Sequence, residues 1–172
     1  MLMSLPAKPT STIKLPAIKI VKRIVSGGQT GVDRTALEVA MAFQIEHGGW
    51  CPRGRLAEDG PIPAHFLLQE TDSPRYHIRT EWNVRDSDAT LILFRNAMSG
   101  GTDLTRKFAA QHRKQLLCVD LALGELSEQV VTIRSWLQQH QPAVLNVAGP
   151  RASSAPGISL QCREVLASLF RN

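Results

Sequence analysis

Three glycine-bearing segments stand where a strand-like run gives way to a helix-like run: Ser26-Gly27-Gly28-Gln29-Thr30-Gly31-Val32-Asp33-Arg34, Ser99-Gly100-Gly101-Thr102-Asp103-Leu104-Thr105 and Asn146-Val147-Ala148-Gly149-Pro150-Arg151. Glycine lets backbone N–H groups approach an oxyanion closely, and a following helix adds unpaired N–H groups and the positive end of its dipole. One such segment is weak evidence. Three of them, each after an apolar run, point to a parallel sheet whose carboxyl edge holds a phosphate- or oxyanion-bearing ligand.

The candidate binding residues follow from that geometry. Gly27, Gly28, Gly31, Gly100, Gly101 and Gly149 offer backbone amides, with Gln29, Thr30, Ser99 and Thr102 as neighbouring side-chain donors. Asn146 can form paired amide hydrogen bonds, and Arg34, Arg53 and Arg151 can meet a phosphate bidentately. Two roles stand for Asp33: first-turn dipole stabilisation, worth about 0.3–1 kcal/mol, or a carboxylate accepting from a ligand amino group or ribose hydroxyl. Arg34 and Arg151 have solvated surface roles as their alternative, and Asp103 reads equally as a helix cap. Trp50 and Trp82 could stack on a planar ring, although core packing is favoured for both. Glu81 and Asn83 are second-rank candidates in a dense polar cluster. No nucleophile and base stand together, so no catalytic residue is assigned. Cys51, Cys118 and Cys162 have no metal or disulfide spacing, and the five histidines are dispersed, so no metal ligand is assigned either.

These segments need elements to hold them. Residues 18–25 read as a first strand and 32–44 as an amphipathic helix, with Val32, Ala36, Val39, Ala40 and Phe43 on one face. A short strand ends at Cys51-Pro52, and residues 53–63 read as a surface loop able to act as a lid over the sheet edge. A short helix over 80–85, a doubly buried strand over 89–94, a helix over 104–112, a strand over 115–119, a helix over 126–139, a strand over 143–147 and a closing helix over 158–170 complete the alternation. That order specifies an α/β, Rossmann-like three-layer sandwich with a mainly parallel sheet.

With 172 residues and 43% hydrophobic composition the chain suffices for one domain, placed at 18–172 behind a flexible basic tail over 1–17. The net charge of +5 favours anionic ligands, but Lys8, Lys14, Lys19, Lys22 and Arg23 in or beside that tail carry much of it. Only three Trp, one Tyr and five Phe are present, too few to interleave with arginines in a nucleic-acid groove. No apolar run reaches the ~20 residues of a membrane span and the first residues lack a secretory apolar core, so a cytoplasmic protein is expected.

The SGGQTGVDR, GGWCPRGRLAEDGPIP, RTEWNVRDSDATLIL, SGGTDLT and LNVAGPR…APGI segments together resemble the putative molybdenum carrier family, over residues 20–171 and in the same order. That family is the circularly permuted YpsA-like branch of the SLOG superfamily, related to the LOG or lysine-decarboxylase-like proteins. The resemblance implies a nucleotide-binding type of fold and a binding protein that stores or carries molybdenum cofactor (molybdopterin), or a similar phosphorylated heterocycle. It also implies a homo-oligomer, with a tetramer as the expected form, and molybdoenzymes or cofactor-biosynthesis proteins as partners. The alternatives are a nucleotide-processing enzyme of the LOG phosphoribohydrolase type and a non-catalytic nucleotide sensor. Turnover is disfavoured because the catalytic glutamate of the LOG motif PGGxGTxxE falls here at Thr105, which is no acid or base at neutral pH.

Overall fold

The structure is a computed structural model that describes residues 18–171. The basic tail expected over 1–17 lies outside the described residues. Five strands form one fully parallel sheet in the order β2-β1-β9-β7-β8, where β1 is Arg23–Val25, β2 is Glu46–Gly48, β7 is Ala89–Phe94, β8 is Gln115–Asp120 and β9 is Val144–Ala148. β7 is buried along almost its whole length, as its unbroken apolar sequence requires in a sheet covered on both faces. Helices α1 (Val32–Ala42), α4 (Leu126–His140) and α5 (Ile158–Phe170) pack together on one face, and α2 (Tyr76–Arg85) with α3 (Gly100–Gln111) on the other. The result is the three-layer α/β arrangement expected from the sequence.

The crossover through α1 carries the chain from β1 outward to β2, and the crossover through α3 carries it from β7 outward to β8, in opposite directions. β9 lies between β1 and β7. Helices therefore diverge at the carboxyl ends of these three strands, which leaves the crevice where open α/β sheets bind ligands. The main core runs between the sheet and the α1, α4 and α5 layer, through Ile24, Leu91, Leu93, Ile133, Leu145 and Leu166.

Several boundaries differ from the sequence expectation. The first strand is confined to residues 23–25; Ile18 and Val21 are nevertheless buried, and the Ile18 N–H donates to the Leu169 carbonyl at 3.1 Å. α3 starts at Gly100, so the second glycine segment forms the helix's first turn. Two-residue strands also form. β3 (Trp50–Cys51) pairs with β6 (Gln69–Glu70), and β4 (Leu56–Ala57) pairs with β5 (Gly60–Pro61) as a hairpin within the expected surface loop. A second small core of Leu37, Cys51, Ile62, Phe66 and Leu68 fixes that region against α1. The Arg55 guanidinium is folded into it, donating to the carbonyls of Ile62, Pro63, Phe66 and Leu68.

Candidate functional site

A cavity of about 590 Å³ opens at the carboxyl edge of the sheet. Its walls come from the segment after β1 (Gln29, Asp33), the start of α3 (Ser99 to Thr102, Leu104, Thr105) and the segment after β9 (Ala148 to Arg151, Ser154). The fourth wall is the start of α2, with Arg75, Tyr76, His77, Arg79 and Thr80. All three glycine segments thus meet at one place.

The electrostatics are lopsided. Arg75, Arg79 and Arg151 line the cavity against a single carboxylate, Asp33. Asp33 is itself paired: Arg79 donates to it at 2.7 Å, and the backbone N–H groups of Gly149 and Gln29 favour its ionised form. Burial pushes its carboxyl above the ordinary carboxylate range, while the Arg79 charge and these donors pull it back. A second source of positive potential is helical. The first turns of α2 and α3 both face the cavity, and neither has a side-chain cap on the N–H groups that a helix start leaves without an i−4 partner. α2 has no acidic residue in its first turn; the acid of α3's first turn, Asp103, pairs with Arg106 at 2.7 Å and Lys107 at 2.9 Å.

The family model for the circularly permutated YpsA SLOG family matches residues 24–170, which contain every wall of this cavity. The chain belongs to that family. The crystal structure of a putative molybdenum carrier protein from Syntrophus aciditrophicus SB is 43% identical, covers 89% of this chain and 96% of its own, and superposes with a TM-score of 0.86. No curated protein matches the chain.

In this SLOG chain the residues expected at the site divide into two groups. Gln29, Asp33, Ser99, Gly100, Gly101, Thr102, Gly149 and Arg151 line the cavity. Gly27, Gly28, Thr30, Gly31, Arg34, Arg53 and Asn146 do not, and for most of them the structure supplies another contact. Gly27 backs onto the Arg79 guanidinium, and Gly28 onto Leu68 and Ile62 of the small core. Gly31 packs on the backbone of residues 150–152, and the Thr30 hydroxyl meets Glu58. Arg34 pairs with Asp59 and donates twice to the Gly28 carbonyl, at 3.1 and 3.2 Å. Arg53 is exposed. Asn146 is buried between strands and donates to the Thr90 hydroxyl at 3.2 Å.

Among the second-rank candidates, Trp50 and Trp82 make an edge-to-face pair 4.8 Å apart, with the Trp50 indole N–H on Asp86 at 2.8 Å. Asn83 clamps the Trp50 backbone from both sides at 2.8 Å, and Glu81 meets His112 at 3.0 Å. The Cys51, Cys118 and Cys162 thiols are all raised by burial and none lines the cavity. Among the described residues no three His, Cys, Asp or Glu side chains converge on a metal position, and no helix is long and apolar enough to cross a membrane.

The start of α2 was missed from sequence. Arg75 and Arg79 are four residues apart and stand at its first two turns, immediately after Pro74. A proline just ahead of a helix, followed by arginines at helical spacing, is the signal that could have found them.

Proposed function

We propose that the cavity binds a phosphorylated heterocycle, with molybdenum cofactor as its cargo, and holds it for storage or delivery without chemical change. The observation that carries this reading is the cavity's charge: Arg79 pairs with the one lining carboxylate, Asp33, and Arg75, Arg151 and two helix starts without side-chain caps face the cavity beyond that pair. Such a wall is matched to a phosphate, which Arg75, Arg151 and the amides of Gly100 and Gly101 would hold. Non-reactivity is supported by the lack of a spare acid. Asp33 is occupied, Asp103 is turned onto its own helix, and Thr105 donates its hydroxyl to the Gly101 carbonyl at 2.8 Å. The 43% identity to a putative molybdenum carrier protein supports the choice of cargo. The cavity volume of about 590 Å³ accommodates a fused-ring phosphate.

The same reading takes the protein as a cytoplasmic homo-oligomer that passes its cargo to molybdoenzymes or cofactor-biosynthesis proteins. Mass spectrometry of material co-purifying with the native protein should show a pterin phosphate with molybdenum. Incubation with AMP should release no adenine. Steady adenine release, lost on Asp33→Asn, would move the assignment to a nucleotide hydrolase.

A further inference from the structure

The hairpin formed by β4 and β5 touches the site's walls without lining the cavity. At its tip, the Glu58 carboxylate accepts from the hydroxyls of Thr30 and Ser153 and from the Ser153 N–H at 3.2 Å. The Glu58 N–H donates to Gln29 Oε1 at 2.9 Å. Residues 29 and 30 belong to the segment after β1, and residue 153 to the segment after β9, so one side chain ties two cavity walls together. Asp59 beside it grips Arg34, which in turn holds the Gly28 carbonyl. The donors around Glu58, Ser153 foremost, hold its carboxyl below the ordinary range.

We infer that Glu58 is a positioning residue for the cavity: it fixes where Arg151 stands and so governs anion affinity without touching the anion. This rests on the cavity being the binding site. Two consequences of removing Glu58 oppose each other. Its charge lies 4.0 Å from Arg151 Nε, so its loss releases that arginine from a competing anion. Its loss also removes both Ser153 bonds of the segment that carries Arg151, leaving that segment on the Ala152 N–H to the Thr30 hydroxyl at 3.1 Å and the Val32 N–H to the Pro150 carbonyl at 3.3 Å. The ion pair is at the limit of contact with Arg151 half exposed, where solvent screens it. The three donors are in direct hydrogen-bond contact with a charged acceptor and fix direction as well as distance. Untying therefore wins, and affinity falls.

The test is calorimetric titration of inorganic phosphate and AMP into the full chain and into Glu58→Ala, Glu58→Gln, Arg151→Ala, Arg75→Ala and the double variant Glu58→Ala/Arg151→Ala. Glu58→Ala should weaken binding about tenfold. Glu58→Gln, which keeps the length and one acceptor oxygen, should recover to within about threefold of wild type. In the Arg151→Ala background, Glu58→Ala should add almost nothing, because the residue it positions is gone. A full additive loss in that background, or no recovery in Glu58→Gln, would reduce Glu58 to a general structural contact and overturn the role. Wild-type affinity in Glu58→Ala alongside lost binding in Arg75→Ala would overturn the role and leave the cavity standing. Absence of saturable binding to the wild-type chain, or unchanged binding in Arg75→Ala, would overturn both.

Discussion

Two segments of this chain begin with the same three residues and have opposite fates. Ser26-Gly27-Gly28 is wholly buried, with the Ser26 hydroxyl on the Val147 carbonyl at 2.6 Å. The space beside Gly27 is filled by the Arg79 guanidinium, and the space beside Gly28 by Leu68 and Ile62. Ser99-Gly100-Gly101 is exposed, its serine makes no capping bond, and nothing lies within 4 Å of the Cβ position at either glycine. The first segment spends its small residues on packing and on seating Arg79. The second leaves room for something that is not protein. A glycine pair before a helix is thus a statement about close approach, and the approaching group can be the protein's own side chain.

Removing the group that fills the first segment should have the largest effect. Arg79→Ala leaves Asp33, 3% exposed, as a buried carboxylate without its counter-charge, which should cost about 3–5 kcal/mol. Urea denaturation of Arg79→Ala and of Arg79→Ala/Asp33→Asn measures it: the double variant should regain much of the loss, because the uncompensated charge is removed as well. Equal stability of the two would mean that Arg79 matters through packing alone.

Next comes a Cβ placed where the protein is already closed. In Gly31→Ala the new carbon would collide with the Pro150 carbonyl and lie 2.8 Å from the Ala152 nitrogen, at a φ of 81°. Overpacking and left-handed strain together should cost about 2–4 kcal/mol. The matching change in the open segment, Gly101→Ala, should behave in reverse. It meets no atom of the protein within 4 Å and sits in a helical first turn, so stability should be unchanged or rise by up to about 1 kcal/mol, while phosphate affinity falls about tenfold. A destabilised Gly101→Ala with unaltered binding would erase the contrast between the segments.

The same contrast explains what could be read from sequence. Apolar runs such as 89–94 and the spaced apolar residues of 32–44 carry their own periodicity, so the sheet, its helices and the convergence of three glycine segments were readable. Which glycine faces a ligand was not, because occupancy of the space beside Gly27 depends on Arg79, 52 residues away. α2 itself hides from periodicity: Tyr76–Arg85 is mostly polar and buries only Thr80, Asn83 and Val84. The hairpin's strands are two residues each, too short for alternation to show, and nothing in the local sequence sets Glu58 and Asp59 apart from ordinary surface charge. Their role depends on donors at Thr30 and Ser153 that only the fold brings near.

The smallest expected effect is the response of those tip carboxylates to acid. The Glu58 carboxyl is lowered from its ordinary 4.5 by Ser153 and Thr30, and that of Asp59 from 3.8 by Arg34. A carboxyl lowered on folding contributes stability that is complete above its unfolded value and is lost as pH falls through its folded value. The window therefore opens near 4.5 for Glu58 and 3.8 for Asp59, and extends downward. Asp33 works in the opposite sense, since burial raises its carboxyl and acid favours its folded form. Comparing variants isolates the hairpin from that opposing group. Because Glu58 and Asp59 are solvated, each should contribute only about 0.5–1 kcal/mol. Urea midpoints at pH 6 and pH 3.5 should differ less in Glu58→Gln and Asp59→Asn than in the wild-type chain, with the variants less stable at pH 6 and the gap narrower at pH 3.5, more so for Glu58→Gln because its window opens at higher pH. Parallel pH dependence in all three proteins would mean that the tip carboxylates are not held by their donors in solution, and that the open and closed glycine segments are kept apart by the cores alone.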